Sequence, residues 1–105
     1  MIALHCDELS TTKHGWVQYG AVIFPAVVQQ WCQLFSEDDR LQAMWQLAAE
    51  VIEATGGRKH WVGHIGSGMQ LTWEVGGHLS KRVITIPTPA GPVNVQLVVE
   101  RARPV

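Results

Sequence analysis

Two histidines and one glutamate come closest, by type and spacing, to a chemical site in this chain. His60 and His64 lie four residues apart, and Glu74 follows in the next strand-like segment. If His60 and Glu74 are neighbours on adjacent strands, the carboxylate could orient the imidazole as a general base. We favour the simpler interpretation, in which they form an exposed cross-strand charge pair that adds little to stability.

A metal ion shared by His60 and His64 is not expected. On a strand, four residues span about 13 Å, which is too far for two ligands of one ion. No serine or cysteine has the sequence setting of a nucleophile, and no glycine-rich run has the spacing of a phosphate-binding loop. We therefore predict no catalytic residue, no metal site and no cofactor, and the balance favours a protein that is not an enzyme.

These histidines and the glutamate belong to a segment, residues 58–75, whose pattern predicts a β-hairpin. Its second arm alternates apolar and polar residues, as expected of a strand with one buried face. A three-residue loop, Gly66-Ser67-Gly68, keeps the apolar faces of the two arms in phase, with Gly68 at the left-handed position. The predicted register pairs Ile65 with Met69, Trp61 with Trp73, and His60 with Glu74.

Other segments predict further strands. Residues 1–6 alternate in polarity, and residues 82–87 and 93–101 are rich in β-branched residues separated by a proline-containing turn. Residues 16–24 favour a strand, with a helix as the alternative. We predict a four-stranded antiparallel meander over about 58–101, with one apolar face and one or two N-terminal strands beside it. The strand order stays open.

Two helices are predicted to cover that apolar face, over about residues 25–35 and 37–55. Pro25 suits the first turn of a helix, Ser36 begins a capping-box pattern with Asp39, and Thr55-Gly56-Gly57 ends the second helix. Its apolar stripe is Leu41, Met44, Trp45, Ala48, Val51 and Ile52. The chain is therefore expected to form a single α+β domain, residues 1–105, built as a two-layer sandwich.

Composition narrows the class of protein. Hydrophobic residues make up 47% of the chain and charged residues 16%, which argues against disorder. No apolar run approaches the roughly 20 residues of a membrane span, and the N-terminus does not resemble a secretory signal. Two cysteines with no secretory context are expected to be reduced thiols, so we predict a cytoplasmic protein with no membrane association.

The charges divide unevenly between the two halves of the chain. Residues 1–57 hold seven acidic and two basic residues, whereas residues 58–105 hold six basic and two acidic residues. An acidic helical layer against a basic sheet explains this division most simply, although a basic half can also bind an anionic partner.

The outward face of the predicted sheet is the candidate binding surface. It is polar and mildly basic, and its residues are His60, His64, Gln70, Thr72, Glu74 and Gln96, framed by Arg58, Lys59 and Arg82. The chain also has five tryptophans, of which Trp31, Trp45, Trp61 and Trp73 are predicted to face inward. A domain this small has little room for five, so an interface between two copies is a natural place for the surplus.

These features favour a small, non-catalytic, cytosolic interaction protein of the inhibitor or accessory type. We expect it to bind a protein partner and to form a homodimer. The first alternative is a nucleic-acid-binding domain that uses the basic C-terminal half. The second is a small enzyme or ligand-binding domain with a cleft formed by His60, His64 and Glu74.

Overall fold

The computed structural model describes residues 2–12, 14–80 and 82–100 of the 105-residue chain. That part confirms an α+β fold in which strands pack against two α-helices. Residues 17–23, where the sequence left two possibilities open, form a strand. The elements in chain order are β1 (Ile2–Thr11), β2 (Val17–Ile23), α1 (Pro25–Cys32), a 3₁₀ turn (Glu37–Asp39), α2 (Arg40–Ala54), β3 (Arg58–Ile65), β4 (Gly68–Val75), β5 (Val83–Ile86) and β6 (Val93–Glu100).

The six described strands form one sheet in the order β3-β4-β2-β1-β6-β5. Every neighbouring pair is antiparallel except β1 and β6, which run parallel, with Leu4 opposite Leu97. This corrects the predicted meander over 58–101, because the hairpins β3–β4 and β5–β6 lie at opposite edges with β2 and β1 between them. The pairing of the first strand with the last one joins segments about ninety residues apart, a contact that local sequence patterns do not reveal.

The core lies between the helices and one face of the sheet. Alternate strand residues are buried there, and Ile84 lies opposite Val95 on that face. Tyr19 and Trp73 stack at a centroid distance of 5.8 Å in its middle. The buried hydrophobic strand residues are Ile2, Leu4, Cys6, Val17, Tyr19, Ala21, Ile23, Met69, Leu71, Trp73, Val75, Ile84, Ile86, Val95 and Leu97.

The helices begin and end largely where the sequence predicts. Pro25 occupies the first turn of α1, and Gly56 adopts a φ of 67° just after α2. Ser36 donates to the Asp39 carboxylate at 2.8 Å and caps no backbone N–H, so the predicted capping box does not form. Indole hydrogen bonds fix both helices: Trp31 Nε1 donates to the Ala43 carbonyl at 2.7 Å, and Trp73 Nε1 donates to Thr55 Oγ1 at 3.0 Å.

The buried stripe of α2 is rotated from the predicted one. Ala43, Leu47, Ala48 and Val51 are buried, whereas Leu41 and Trp45 are exposed. The same helix contacts both β3 and β5, the two edge strands, so α2 crosses the width of the sheet. The face of the sheet that packs against the helices is called the concave face below, and the opposite, outer face is called the convex face. No helix of the described chain has both the length and the apolar character needed to cross a lipid bilayer.

Candidate protein-binding surface

The turn between β3 and β4 decides which side chains of β3 are exposed. Ile65 lies opposite Gly68, so the loop contains two residues, Gly66 and Ser67, and Gly66 has a φ of 60°. A glycine with positive φ at the first loop position is characteristic of a type II′ hairpin turn. The predicted three-residue loop is therefore wrong, and its register shifts by one residue: Trp61 pairs with Thr72 and His64 pairs with Met69.

A β-bulge interrupts β3 near its start. Arg58 lies opposite Glu74, but the next regular pair is Trp61 with Thr72, so β3 contains one extra residue there. Lys59 takes a φ of 49°, and its Nζ lies 3.7 Å from the Glu74 carboxylate. The Arg58 guanidinium stacks on the Trp16 ring at 3.4 Å. Both cations are thus held at the start of β3, away from its regular part.

The regular part of β3, residues 61–65, is hereafter called the β3 edge, because within the described chain it pairs with β4 alone. On the convex face of the sheet, Trp61 is 55% exposed and Ile65 is 54% exposed. The Trp61 ring covers Gly63, which lies between them in sequence. This corrects the prediction that Trp61 faces the core, and it places two large apolar side chains beside a strand edge that has no partner in the described chain.

Further exposed apolar residues lie at the turn end of this strand. Val22 and Phe24 are exposed and, together with Ile65, line a depression of about 160 Å³ at the junction of β2 and α1. Ile23 and Met69 also line the depression. The apolar surface on the convex side thus continues from Trp61 to the end of the hairpin.

On the concave side, a groove of about 550 Å³ separates the β3 edge from α2. Trp45 stands at its margin, 50% exposed, and meets the His64 ring edge-on at a centroid distance of 6.4 Å. Trp45 is thus the second tryptophan that the sequence wrongly placed inward. The groove residues are Trp45, Ala48, Ala49, Ile52, Glu53, Gly57, His60 and Val62, so its lining is mostly apolar.

The nine residues of the predicted binding face do not share one surface. His60 lines the groove, and His64 also lies on the concave side of the sheet. Gln70, Thr72 and Glu74 alternate with the buried residues of β4 and therefore point to the convex side.

The remaining members are dispersed as well. Arg58 and Lys59 lie before the β3 edge, whereas Gln96 is exposed on β6 beside the opposite edge. Arg82 donates to the Leu79 carbonyl at 2.9 Å. His60 and Glu74 are not the cross-strand pair that the sequence predicted, because the bulge places Arg58 opposite Glu74.

The titratable groups of the described chain bear on two kinds of chemistry, metal binding and thiol reactivity. Residues 2–12, 14–80 and 82–100 contain no group of three or more His, Cys, Asp or Glu residues arranged to hold a metal ion. Burial and the neighbouring Asp7 carboxylate raise the pKa of Cys6 to about 11, which keeps its thiol protonated. Burial also raises the pKa of Cys32, against an opposing effect of Arg40.

No protein-family model, curated protein or solved structure matches the chain. The function is therefore inferred from the β3 edge and its surroundings. The sequence pattern missed Trp45, Trp61 and Ile65 as surface residues. The exposure of Trp61 and Ile65 could have been predicted from the order Gly66-Ser67, since a type II′ turn there exchanges the two faces of the first arm.

Proposed function

We propose that this protein is an interaction protein that binds another polypeptide through the β3 edge. The observation that carries the proposal is a regular strand whose outer edge pairs with nothing in the described chain and has large exposed apolar side chains on both faces: Trp61 and Ile65 on one and Trp45 on the other. Exposed apolar patches of this kind commonly mark protein–protein contacts. A free strand edge can in addition pair its backbone with a strand from a partner.

The backbone of the β3 edge supports strand addition. Residues that flank a two-residue hairpin turn exchange hydrogen bonds with each other, and alternate residues face the same neighbour. Ile65, Gly63 and Trp61 therefore direct their N–H and C=O groups towards β4. Val62 and His64 direct theirs outwards, where a partner strand could pair with them.

The role we propose is accessory or inhibitory, by binding rather than catalysis, in the cytoplasm. The separation of His60 from Glu74 supports binding over the enzyme alternative. The nucleic-acid alternative stays a prediction without a favouring observation. The basic residues on which the nucleic-acid alternative depended do not lie together. Arg58 and Lys59 lie at the start of β3, and Arg82 lies near the opposite edge of the sheet. The other three, Lys81, Arg101 and Arg103, lie outside the described residues.

Site-specific photo-cross-linking in the cells that make the protein would test this proposal. A photoreactive phenylalanine derivative replaces Trp61 in one variant and Val83, an exposed residue of the opposite edge strand, in the control. We expect light-dependent adducts with a polypeptide at position 61 and far fewer at position 83. No adduct at position 61, or equal adducts at both positions, would contradict a binding role for the β3 edge.

A further inference from the structure

We infer that the polypeptide bound at the β3 edge is a second copy of this chain, paired antiparallel about a two-fold axis at Gly63. The inference rests on the proposed function of the β3 edge and names its occupant. In this pairing the β3 edges of two copies join two six-stranded sheets into one continuous sheet. A two-fold contact requires a surface that complements itself. The β3 edge complements itself in three respects: its side-chain pairing, its backbone and its charge.

The first respect is the side-chain pairing. With Gly63 on the axis, Trp61 lies directly opposite the partner's Ile65, and the symmetry repeats the pair. Both side chains lie on the convex face and both are more than half exposed in a single copy. Cross-strand pairs of an aromatic and a β-branched residue are among those that stabilise antiparallel sheets. Each copy thus supplies the apolar surface that the other leaves uncovered.

The second respect is the backbone. Val62 lies opposite the partner's His64 in this register, and both residues point their hydrogen-bonding groups outwards. Gly63 then faces the partner's Gly63 in a non-hydrogen-bonded pair, where Cα atoms approach to about 4.5 Å. Glycine at this point leaves room for the Trp61 ring that already covers it. An axis at Val62 or His64 would use fewer of the five regular residues, because the bulge ends the ladder at Trp61.

The third respect is charge. Arg58 and Lys59 lie before the paired segment, where the bulge turns the strand out of register. In a pairing about Gly63 they lie towards the partner's uncharged turn, Gly66-Ser67, and not towards the partner's own Arg58 and Lys59. Like charges directly opposite each other would destabilise a strand pair, and this register avoids them. Beyond the axis, no aspartate or glutamate interrupts the β3 edge.

The size of the contact sets its expected strength. Trp61, Ile65 and the backbone of five residues from each copy, with Trp45 at the margin, would bury on the order of 1,000 Å² in total, the lower limit for a specific interface. We therefore expect a dimer that dissociates in the micromolar range and not an obligate one.

Sedimentation equilibrium of the full chain, from about 1 µM to about 1 mM, tests the inference. Trp61→Lys and Ile65→Glu should each weaken the dimer by about tenfold or more, since each places a charge against an apolar partner. An equimolar mixture of the two variants should dimerise within a few-fold of the unchanged protein. In the mixed dimer the introduced lysine faces the introduced glutamate, and the other pair keeps its natural residues.

Val83→Lys is the matched control, because Val83 is an exposed apolar residue on β5, and it should leave the dimer unchanged. Near-ultraviolet circular dichroism of each variant verifies that the buried tryptophans keep their environment. A dimer that survives both single changes would lie elsewhere on the molecule. A dimer that both changes weaken and mixing does not restore would refute the register about Gly63.

A chain that stays monomeric throughout would overturn the second copy as occupant. The proposed function would then still hold if cross-linking at position 61 joins the chain to a different polypeptide. It would fail with the inference only if position 61 forms no adduct either. The two experiments therefore separate a wrong occupant from a wrong surface.

Discussion

The two edges of the sheet differ in how they are protected from other strands. β5 has four residues, and Pro87, Pro89 and Pro92 follow it in the connection to β6. Short edge strands and nearby prolines both limit pairing with further strands. β3 has eight residues and no proline, and its only irregularity is the bulge at Lys59.

This difference indicates that the chain protects one edge and leaves the other available. The bulge and the cations Arg58 and Lys59 block only the start of β3, and the remaining five residues keep regular geometry. Apolar side chains flank those five residues on both faces, whereas β5 exposes one large apolar residue, Val83. If the β3 edge lacked protection but had no binding role, we would not expect three large exposed apolar side chains, Trp45, Trp61 and Ile65, to lie beside it.

The largest expected effect separates two tryptophans of the same hairpin. Trp73 is fully buried and bonds Thr55, whereas Trp61 is half exposed beside the edge. Trp73→Ala should lower the free energy of unfolding by about 3–5 kcal/mol, and Trp61→Ala by less than about 0.5 kcal/mol. Urea denaturation at low protein concentration measures both. Similar losses in the two variants would mean that Trp61 is not a surface residue.

The second effect tests whether the middle of the sheet, where Cys6 lies on β1, is inaccessible to solvent and reagents. With its pKa raised from 9.0 to about 11, Cys6 should hold about 100-fold less thiolate at pH 8 than an unperturbed cysteine. A maleimide should therefore modify Cys32 first and Cys6 only after unfolding, as peptide mass mapping would show. Equal rates at the two thiols in the folded protein would be inconsistent with a closed centre.

The same raised pKa predicts how stability depends on pH. Above about pH 9 the unfolded chain releases the Cys6 proton, whereas the folded chain keeps it until about pH 11. The unfolded state then binds fewer protons, so the free energy of unfolding should fall across this interval. Cys6→Ser should reduce that dependence, and urea midpoints between pH 8 and pH 11 measure it.

A smaller effect compares two glycines of the β3–β4 hairpin. A Cβ on Gly68 would lie 2.6 Å from the Ile23 carbonyl oxygen, a backbone atom that cannot easily move. A Cβ on Gly63 would meet the Trp61 ring, which can swing into solvent. Gly68→Ala should cost about 1–3 kcal/mol of stability and Gly63→Ala less than about 1 kcal/mol. The reverse order in thermal or urea unfolding would contradict the described turn.

The smallest expected effect concerns the bulge that limits the β3 edge. Lys59 adopts a positive φ that costs a non-glycine residue about 1–2 kcal/mol, and its exposed ion pair with Glu74 contributes well under 1 kcal/mol. Lys59→Gly removes this strain, but glycine also has a greater conformational entropy in the unfolded state, which opposes the gain. The net effect should be a rise of about 0.5 kcal/mol in the free energy of unfolding. Lys59→Ala keeps the strain and should bring no gain; a gain in that control would argue against the bulge.

Much of the fold follows from local patterns in the sequence. The alternation in β4 correctly predicted which of its residues are buried, and Pro25 and Gly56 correctly marked helix ends. These features depend on residues close together in the chain. The parallel pairing of β1 with β6 does not, and so the strand order could not be read from the sequence.

The candidate site was predicted less well, and the reason is specific. Gly66 and Gly68 flank Ser67, and either glycine could take the positive φ of the turn. Packing of Gly68 against Ile23 and Pro25 favours the two-residue loop, and that contact is invisible in the sequence. One residue of shift then turned Trp61 and Ile65 outwards and His60 and His64 towards the helices. The bulge at Lys59 could not be predicted either, because a positive φ is expected at a glycine and not at a lysine.

The parallel pairing of β1 with β6 also governs how the chain must fold. β1 and β2 are available early, but the other side of β1 stays open until β6 arrives about ninety residues later. Such distant pairings raise the contact order, and folding slows as the contact order rises. During that delay the nascent molecule has a second reactive strand, in the middle of its future sheet. Docking of β6 pairs that side of β1, which is therefore open to other strands only until the sheet is complete.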